Sequence, residues 1–223
     1  MIARRTMSFE DKRQRMVETQ LRARDITDPR VLEAFASVPR HEFVAADLAD
    51  EAYDDGPLPI GGGQTISQPY VVALTAQALQ LRGTERVLDI GTGSGYAAAI
   101  LGRLSREVVT IERIETLAQA AAALLDRLGF SNVHVHHADG SLGWPQQAPY
   151  DAIAVAAGAP HPPRALLEQL AIGGRLVVPT GDAERQQLIR IVRTDATSFV
   201  QHDFGGVRFV PLLGQQGWPA HGN

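Results

Sequence analysis

Apolar and polar positions follow two different periods along the chain, and these periods divide it into three parts. Residues 8–67 show a helical pattern followed by a segment rich in proline and glycine. In residues 68–182, short continuous apolar runs such as AIAVAA alternate with longer segments of helical period. Residues 183–223 favour strands with no intervening helix. We expect the three parts to form a single domain of residues 1–223, because a chain of this length fits one α/β domain.

The first part predicts two helices and a long irregular segment. Ser8 begins S-F-E-D, which resembles a capping box and predicts a helix over Ser8–Arg24. Asp28-Pro29 supplies a cap and a first-turn proline for a second, short helix. Residues 38–67 are predicted to form an extended loop region that stays within the domain.

The second part predicts strands that alternate with helices. The helical segments are YVVALTAQALQL, closed by Gly83; YAAAILGRL; ETLAQAAAALLDRL, closed by Gly129; and PPRALLEQL, closed by Gly173-Gly174. The strand segments are RVLDI, VVTIE, NVHVHHA, YDAIAVAA and RLVVPT. This alternation is typical of βαβ units, so we predict an α/β fold with a mostly parallel central sheet and helices on both faces.

Composition and charge narrow the classes of function. The 223 residues include no cysteine, which removes disulfides, thiolate catalysis and zinc–sulfur sites. A net charge of −4 argues against a nucleic-acid surface, and the basic residues between Arg4 and Arg15 alternate with acids, as on a solvated helix face. No secretory signal and no apolar run of about 18 residues is visible. We expect a cytoplasmic protein without membrane or nucleic-acid partners.

The motif VLDIGTGSGY, residues 87–96, is the strongest chemical signal. An apolar strand runs into Gly91, Gly93 and Gly95 and then into a helix, where a ligand can approach the backbone. The sixth place of a dinucleotide G-x-G-x-x-G fingerprint is Tyr96 here, and Asp89 would repel a pyrophosphate. A carboxylate at that place instead suits a ligand that carries a cation, such as S-adenosylmethionine.

Two further acids follow successive strands. Glu112 ends VVTIE, where a carboxylate can accept hydrogen bonds from ribose hydroxyls, and Asp139-Gly140 ends the third strand, where it can accept from an adenine amino group. Together with Asp89 they place three acids at one edge of the sheet. The alternative is that they are ordinary caps between strands and helices.

The stretch GGGQTISQPY, residues 61–70, has the composition of a functional loop but contains no acid or base. Ser67 is its candidate reactive group, and the alternative is a structural role at the start of the helix that follows Pro69. No G-x-S-x-G elbow surrounds Ser67, which disfavours a serine hydrolase.

His134, His136 and His137 are a second candidate cluster, for a metal. No further ligand follows them at metal-binding spacing, so we predict a partly exposed strand face and no metal site.

Four segments in this order, GQTISQP, VLDIGTGSGY, ADGSLGWPQQAPYDAI and VRFVPL, resemble the protein-L-isoaspartate O-methyltransferases. The similarity extends from about Met16 to Leu213. It implies a Rossmann-like class I methyltransferase fold, S-adenosylmethionine as cofactor, and isoaspartyl-containing proteins and peptides as substrates of a monomeric repair enzyme. The open alternatives are another carboxylate acceptor, or a cofactor-binding module that has lost catalysis.

The resemblance also implies particular site residues. Ser67 would be the catalytic residue, orienting a carboxylate that is already ionised at neutral pH and therefore needs no base. The implied cofactor-binding residues are Thr65, Ile66, Ser67, Asp89, Ile90, Gly91, Thr92, Gly93, Ser94, Gly95, Glu112, Arg113, Asp139 and Gly140. The implied substrate-binding residues are Ile60, Ser67, Val207, Arg208 and Val210. Ala156 and Gly62 depart from the family pattern, and Gly62 is expected to make its loop more mobile.

Overall fold

The computed structural model describes residues 7–182 and 184–219. The helices are α1 (Phe9–Met16), α2 (Pro29–Ser37), α3 (Pro69–Leu79), α4 (Tyr96–Leu104), α5 (Glu115–Arg127) and α6 (Arg164–Glu168). The strands are β1 (Leu58–Gly61), β2 (Gln64–Ile66), β3 (Arg86–Ile90), β4 (Glu107–Glu112), β5 (Val133–His137), β6 (Tyr150–Val155), β7 (Leu170–Gly181), β8 (Gln186–Arg193) and β9 (Phe199–Val207).

Seven strands form the central sheet in the order β5-β4-β3-β6-β7-β8-β9. The five strands from β3 to β7 run parallel to one another. β8 pairs antiparallel with β7, and β9 pairs antiparallel with β8. The chain moves outwards from β3 through β4 to β5 and then returns to β6 on the other side of β3. The carboxyl end of β3 is therefore the point where the strand order reverses, which is where open α/β sheets bind ligands.

Side chains that alternate along the strands belong to two apolar clusters, one on each face of the sheet. Val87, Val108 and Ala154 share one cluster with buried residues of α1 to α5. Leu88 and Ile153 share the other with α6 and the segment around Leu212. The predicted sheet with helices on both faces is confirmed, although among the described residues the second face is covered by the short α6 and irregular chain.

The prediction of an extended loop over residues 38–67 is wrong in its second half. β1 and β2 pair antiparallel as a separate two-stranded sheet, joined by Gly62 and Gly63. Both glycines have positive φ, of 58° and 69°, as the tight two-residue turns between twisted strands require. The sequence did not predict this hairpin because its strands have only four and three residues and lie among prolines and glycines. The turn needs glycine at position 62 for its backbone conformation.

The two N-terminal helices begin where their caps predict. Ser8 and Asp11 form a reciprocal capping box at α1, and Asp28 caps α2. Only residues 9–16 of the first predicted helix are regular α-helix, and residues 17–24 continue as π- and 3₁₀-type turns. Arg4 and Arg5 lie outside the described residues. Arg13 and Lys12 make ion pairs with Glu10 and Asp50, but their side chains are only 12% and 23% exposed, so this part of the predicted solvated face is largely buried.

Two predicted helix ends are wrong. The last residue of α3 is Leu79, and its C-cap is Gln80, which adopts the left-handed conformation with φ of 52°. Gly83 is therefore not the cap. Gly173 and Gly174 do not close a helix but lie inside β7, which begins at Leu170. The pairing of β6 with β7 shifts register there, and a Cβ on Gly174 would lie 3.0 Å from the Tyr150 carbonyl oxygen. Glycine inside a strand marks such bulges and close backbone approaches.

Every helix within residues 7–182 and 184–219 is too short or too polar to cross a bilayer.

Candidate active site

A cleft of about 100 Å³ lies at the carboxyl end of β3. Its floor is the end of β3 and the loop that follows, and its walls come from the end of β4, the segment after β2, and the chain around Val210. The lining residues are Gln64, Thr65, Ile66, Ser67, Val72, Ile90, Gly91, Thr92, Gly93, Ser94, Tyr96, Ala97, Ile111, Glu112, Arg113, Ile114, Gly140, Ala156, Ala157, Val210, Pro211, Leu212 and Leu213. Most of the residues expected at a cofactor site therefore meet in one place.

The glycine loop is shaped by backbone conformations that other residues rarely adopt. Gly91, Gly93 and Gly95 have φ of 94°, 53° and 92°. These turns carry the chain from β3 over the sheet edge and into α4, which begins at Tyr96. Positive φ at three alternate positions explains why the loop contains three glycines. Gly91 and Gly93 line the cleft, whereas Gly95 lies against α5, where an added Cβ would come within 3.3 Å of Leu125.

Glu112 joins the glycine loop to the end of β4. One carboxylate oxygen accepts a hydrogen bond of 2.9 Å from the Gly93 N–H, and the other accepts one of 2.9 Å from the Ile114 N–H. Only 7% of the residue is exposed, yet it lines the cleft. Each carboxylate oxygen has a second lone pair, so two acceptor positions remain for hydroxyl groups of a ligand.

Asp89 lies beneath the glycine loop instead of in the main cleft. It is 1% exposed, and its Oδ2 accepts a hydrogen bond of 2.7 Å from the Thr110 hydroxyl, which is itself 2.6 Å from the Thr92 hydroxyl. Its Oδ1 has no hydrogen-bond partner in the described part of the chain. Asp89 borders a second cavity of about 30 Å³, which Ser67 also lines. A buried carboxylate oxygen with no partner fits a ligand that brings a cation or a donor.

Burial raises the pKa of Asp89 to about 7, and the charge of Glu112 adds to the rise while the hydrogen bond from Thr110 opposes it. Between roughly pH 4 and pH 7 the folded protein therefore holds a proton that the unfolded chain releases, and stability falls as the pH rises through this window. The difference in the free energy of unfolding between Asp89→Asn and the parent protein should therefore shift by about 1–3 kcal/mol in favour of the variant from pH 5 to pH 8. Thermal unfolding of the ligand-free protein at both pH values measures this shift.

Asp126→Asn, at an exposed position of α5, is the control and should show no such change. A stability difference between Asp89→Asn and the parent that is equal at pH 5 and pH 8 would contradict the raised pKa.

The structure places Asp139 and Gly140 differently. Gly140 lines the cleft. The Asp139 carboxylate accepts hydrogen bonds from the backbone and hydroxyl of Ser141 and from the Gln215 N–H. It thus caps the 3₁₀ turn over 140–142 and holds the C-terminal chain, and it does not line the cleft.

Ser67 lies where three openings of the site meet. It lines the main cleft, the cavity beside Asp89, and a wide groove on the outer side of β9 and α3. The N-cap of α3 is Gln68, so Ser67 does not cap the helix. Its hydroxyl forms no hydrogen bond with any described residue, whereas its carbonyl oxygen accepts one of 2.8 Å from Arg40. No described histidine lines the three openings, which removes the base of a serine hydrolase.

The wide groove is open to solvent and carries the C-terminal residues predicted to bind substrate. Val207, Arg208 and Val210 all line it. The side-chain amide of Gln186 holds this segment by bonding both the N–H and the carbonyl of Phe209, at 2.8 and 3.1 Å. Ile60 lies elsewhere, against the outer side of the glycine loop near Gly93.

The three histidines of β5 do not converge. His136 stacks on Trp144 with ring centroids 4.3 Å apart, His137 bonds the Arg113 carbonyl, and His134 lies near Glu107. Among the described residues no group of three or more candidate ligands could hold a metal ion.

The sequence did not predict four residues that hold the backbone of the site or line its wall. Gln186 and Arg40 act on its backbone, and Ile111 and Ile114 line its wall. Arg40 lies within the predicted irregular segment 38–67, and Gln186 begins a strand, so neither position carried a chemical pattern.

An open sheet whose order reverses at a glycine loop, with an acid on the next strand, is typical of the class I methyltransferases, which bind S-adenosylmethionine. The family Protein-L-isoaspartate(D-aspartate) O-methyltransferase (PCMT) matches residues 11–217. Protein-L-isoaspartate O-methyltransferase 2 of Marinobacter nauticus is 60% identical over 210 residues, 94% of this chain and 96% of that protein. Protein-L-isoaspartate O-methyltransferase 1 of Rhodopseudomonas palustris is 57% identical over 212 residues, which are 95% of this chain and 86% of that protein.

Solved structures agree. One protein-L-isoaspartate O-methyltransferase superposes with a TM-score of 0.81 at 30% identity, covering 92% of this chain and 67% of its own. A putative one from Plasmodium falciparum, in complex with S-adenosyl-L-homocysteine, gives 0.77 at 25% identity, covering 89% and 96%. The chain belongs to the protein-L-isoaspartate O-methyltransferase family. It is a methyltransferase that uses S-adenosylmethionine, and the predicted fold class, family and cofactor are confirmed.

Proposed function

We propose that the enzyme brings the free carboxylate of an isoaspartyl residue to the Ser67 hydroxyl and holds it there in line with the methyl group of S-adenosylmethionine. The observation that carries this proposal is the unpaired Ser67 hydroxyl at the junction of the cofactor cleft and the open groove. The cleft and the groove share five lining residues, which are Thr65, Ser67, Ala156, Val210 and Pro211. Ser67 and Ala156 also line the cavity beside Asp89, and of these two residues Ser67 is the one with a hydroxyl group.

S-Adenosylmethionine supplies a methyl group on a sulfonium sulfur: the carboxylate oxygen bonds to the methyl carbon, and the electron pair of the breaking carbon–sulfur bond stays on sulfur. No proton moves in this step. The protein therefore has to align the reactants and exclude water, which is catalysis by proximity and desolvation. Ser67 orients the carboxylate by donating a hydrogen bond, and this chemistry needs no histidine base, in agreement with the described lining of the three openings.

For the cofactor, we assign the two remaining acceptor positions of Glu112 to the ribose hydroxyls. The unpaired Oδ1 of Asp89 complements the cationic amino-acid end. Gly91 and Gly93 would allow S-adenosylmethionine to approach the backbone closely. The other residues that would line its site are Thr65, Ile66, Ile90, Thr92, Ser94, Arg113 and Gly140. Asp139 contributes through the turn that it caps.

For the acceptor, we assign recognition to the backbone of the 205–212 segment, with Val207, Arg208 and Val210 along the groove. An isoaspartyl residue carries its free carboxylate on the α-carbon and continues the chain through its side chain. A groove that aligns the main chain can distinguish this geometry from a normal aspartate. Ile60 is assigned an indirect role, through its contact with the glycine loop.

The domain assignment follows from this division of work. Residues 8–67 carry the acceptor loop, which is the segment 61–67 that ends at Ser67. Residues 68–182 form the cofactor-binding core, and residues 183–223 line the substrate groove. We also infer that the enzyme acts on damaged proteins as a monomer in the cytoplasm, without nucleic-acid or membrane partners. The net charge of −4 supports the absence of nucleic acid. Sedimentation at a mass near 24.1 kDa would support the monomer.

Methyl transfer to a pair of matched peptides tests the function. An isoaspartyl peptide should be methylated at the expense of S-adenosylmethionine, and its aspartyl twin of the same sequence should not. Isoaspartyl peptides of varied flanking sequence should also be accepted, because recognition rests on backbone contacts. Equal rates on the two isomers would contradict the proposed acceptor, while transfer to small carboxylic acids alone would favour the other acceptor class.

A further inference from the structure

Arg40 is a fully buried cation at the back of the active site. None of the residue is exposed, and its guanidinium forms no ion pair with any described carboxylate. Its Nε donates a hydrogen bond of 2.7 Å to the Ala52 carbonyl, and its Nη2 donates one of 2.8 Å to the Ser67 carbonyl. The guanidinium also lies 4.8 Å from the centre of the Tyr96 ring.

This arrangement is costly for a residue that only fills space. A buried charge is normally paired with an opposite charge, because burial removes its hydration. Burial indeed lowers the pKa of Arg40, against the opposing influence of the nearby Tyr96 and Tyr53. An arginine under such conditions points to a requirement for its geometry, since local conflicts of this kind concentrate at functional sites.

The groups that Arg40 joins belong to the two halves of the site. Ser67 stands on the acceptor loop after β2, and Tyr96 is the first residue of α4, directly after the glycine loop. Tyr96 is itself fixed by edge contacts with Phe35 and Phe43, whose ring centres lie 5.9 and 5.5 Å away. The Ser67 carbonyl is thus connected through one rigid, planar group to the segment that shapes the cofactor cleft.

We propose that Arg40 is a positioning residue for methyl transfer, which fixes the Ser67 backbone relative to the glycine loop so that the Ser67 hydroxyl meets the acceptor carboxylate in line with the methyl donor. The inference rests on the proposed role of Ser67. Lysine cannot replace the arginine, because its single ammonium lacks the planar fork that reaches two carbonyls and stacks on a ring. Arg40 touches neither substrate, so its effect passes through Ser67.

A double-mutant cycle tests this dependence. Arg40→Lys should lower kcat on an isoaspartyl peptide about 5- to 30-fold, the loss expected from misalignment of one reacting group. The affinity for S-adenosylhomocysteine, measured by calorimetry, should change less than about 3-fold, because Arg40 acts on the Ser67 backbone and does not contact the cofactor. In a Ser67→Ala background, Arg40→Lys should cost less than about 2-fold more, because residues acting through one group are not additive.

Arg30→Lys is the matched control. Arg30 also joins two backbone carbonyls, those of Leu81 and Leu104, but at the opposite end of the helices. Its effect on kcat should be small and should add to that of Ser67→Ala. Arg40→Gln, which removes the buried charge and retains a donor, repeats the cycle if Arg40→Lys does not fold.

The outcomes separate the two claims. If Arg40→Lys and Arg40→Gln keep full kcat, or if their losses multiply with that of Ser67→Ala, Arg40 is a structural residue and the inference is wrong. If Ser67→Ala alone retains full activity, the proposed role of Ser67 fails before Arg40 is considered.

Discussion

Replacing Ser67 by alanine should lower turnover about 10- to 1000-fold, the loss expected when one preorganised hydrogen bond and the alignment it gives are removed. Affinity for S-adenosylhomocysteine should change little, because the Ser67 hydroxyl lies at the junction with the groove and bonds no other described residue. Steady-state kinetics with an isoaspartyl peptide and calorimetry with S-adenosylhomocysteine measure the two quantities separately.

The pH–rate profile of this variant distinguishes orientation from proton removal. If Ser67 only orients a carboxylate that is already ionised, the profile should keep its shape while its height falls. Ser67→Thr should retain more activity than Ser67→Ala, since the donor survives. Ser198→Ala, at an exposed loop position, is the control and should leave turnover unchanged. Wild-type turnover in Ser67→Ala, or a covalent adduct trapped on Ser67, would overturn this mechanism.

Replacing Glu112 by alanine should weaken cofactor binding by about 1–3 kcal/mol, or roughly 5- to 150-fold, the range for charge-assisted hydrogen bonds. The change removes the acceptors proposed for the ribose. It also leaves the Gly93 and Ile114 N–H groups without the carboxylate that holds them. Calorimetry with S-adenosylhomocysteine measures the loss.

Glu115→Ala is the control for charge, because Glu115 is an exposed acid only three positions further along, in the first turn of α5. Its effect should stay below about 0.5 kcal/mol, as for an ordinary surface substitution. Unchanged affinity in Glu112→Ala would show that this carboxylate is only a cap. Tight NAD binding by the parent protein would contradict the assigned cofactor.

The sequence predicted the core of the fold because its signals there are local and strong. β3 and α4 have the bounds that RVLDI and YAAAILGRL indicate, since an apolar strand, a glycine loop and a small-residue helix each carry their own pattern. The β1–β2 hairpin was missed because its two strands are only four and three residues long and lie among prolines and glycines. The bulge in β7 was missed because Gly173-Gly174 has the same local appearance as a helix end.

The site shows the same division between local and non-local information. The ends of parallel strands meet at one edge, so the convergence of Gly91, Glu112 and Gly140 follows from topology. The direction of each side chain does not follow from topology. Asp89 is turned under the loop and Asp139 towards Gln215 because of tertiary contacts with distant chain segments. Arg40 could not be found from sequence, since its partners are backbone carbonyls.

The most direct test of the central claim is a crystal structure of the enzyme with both S-adenosylhomocysteine and an isoaspartyl peptide. The claim predicts the cofactor product in the cleft over the glycine loop and the peptide in the groove along 205–212. It also predicts an isoaspartyl carboxylate oxygen within about 2.5–3.0 Å of the Ser67 oxygen, as in a hydrogen bond, and facing the cofactor sulfur. A carboxylate held by Arg208 or another group away from Ser67, with the Ser67 hydroxyl still unpaired, would contradict it.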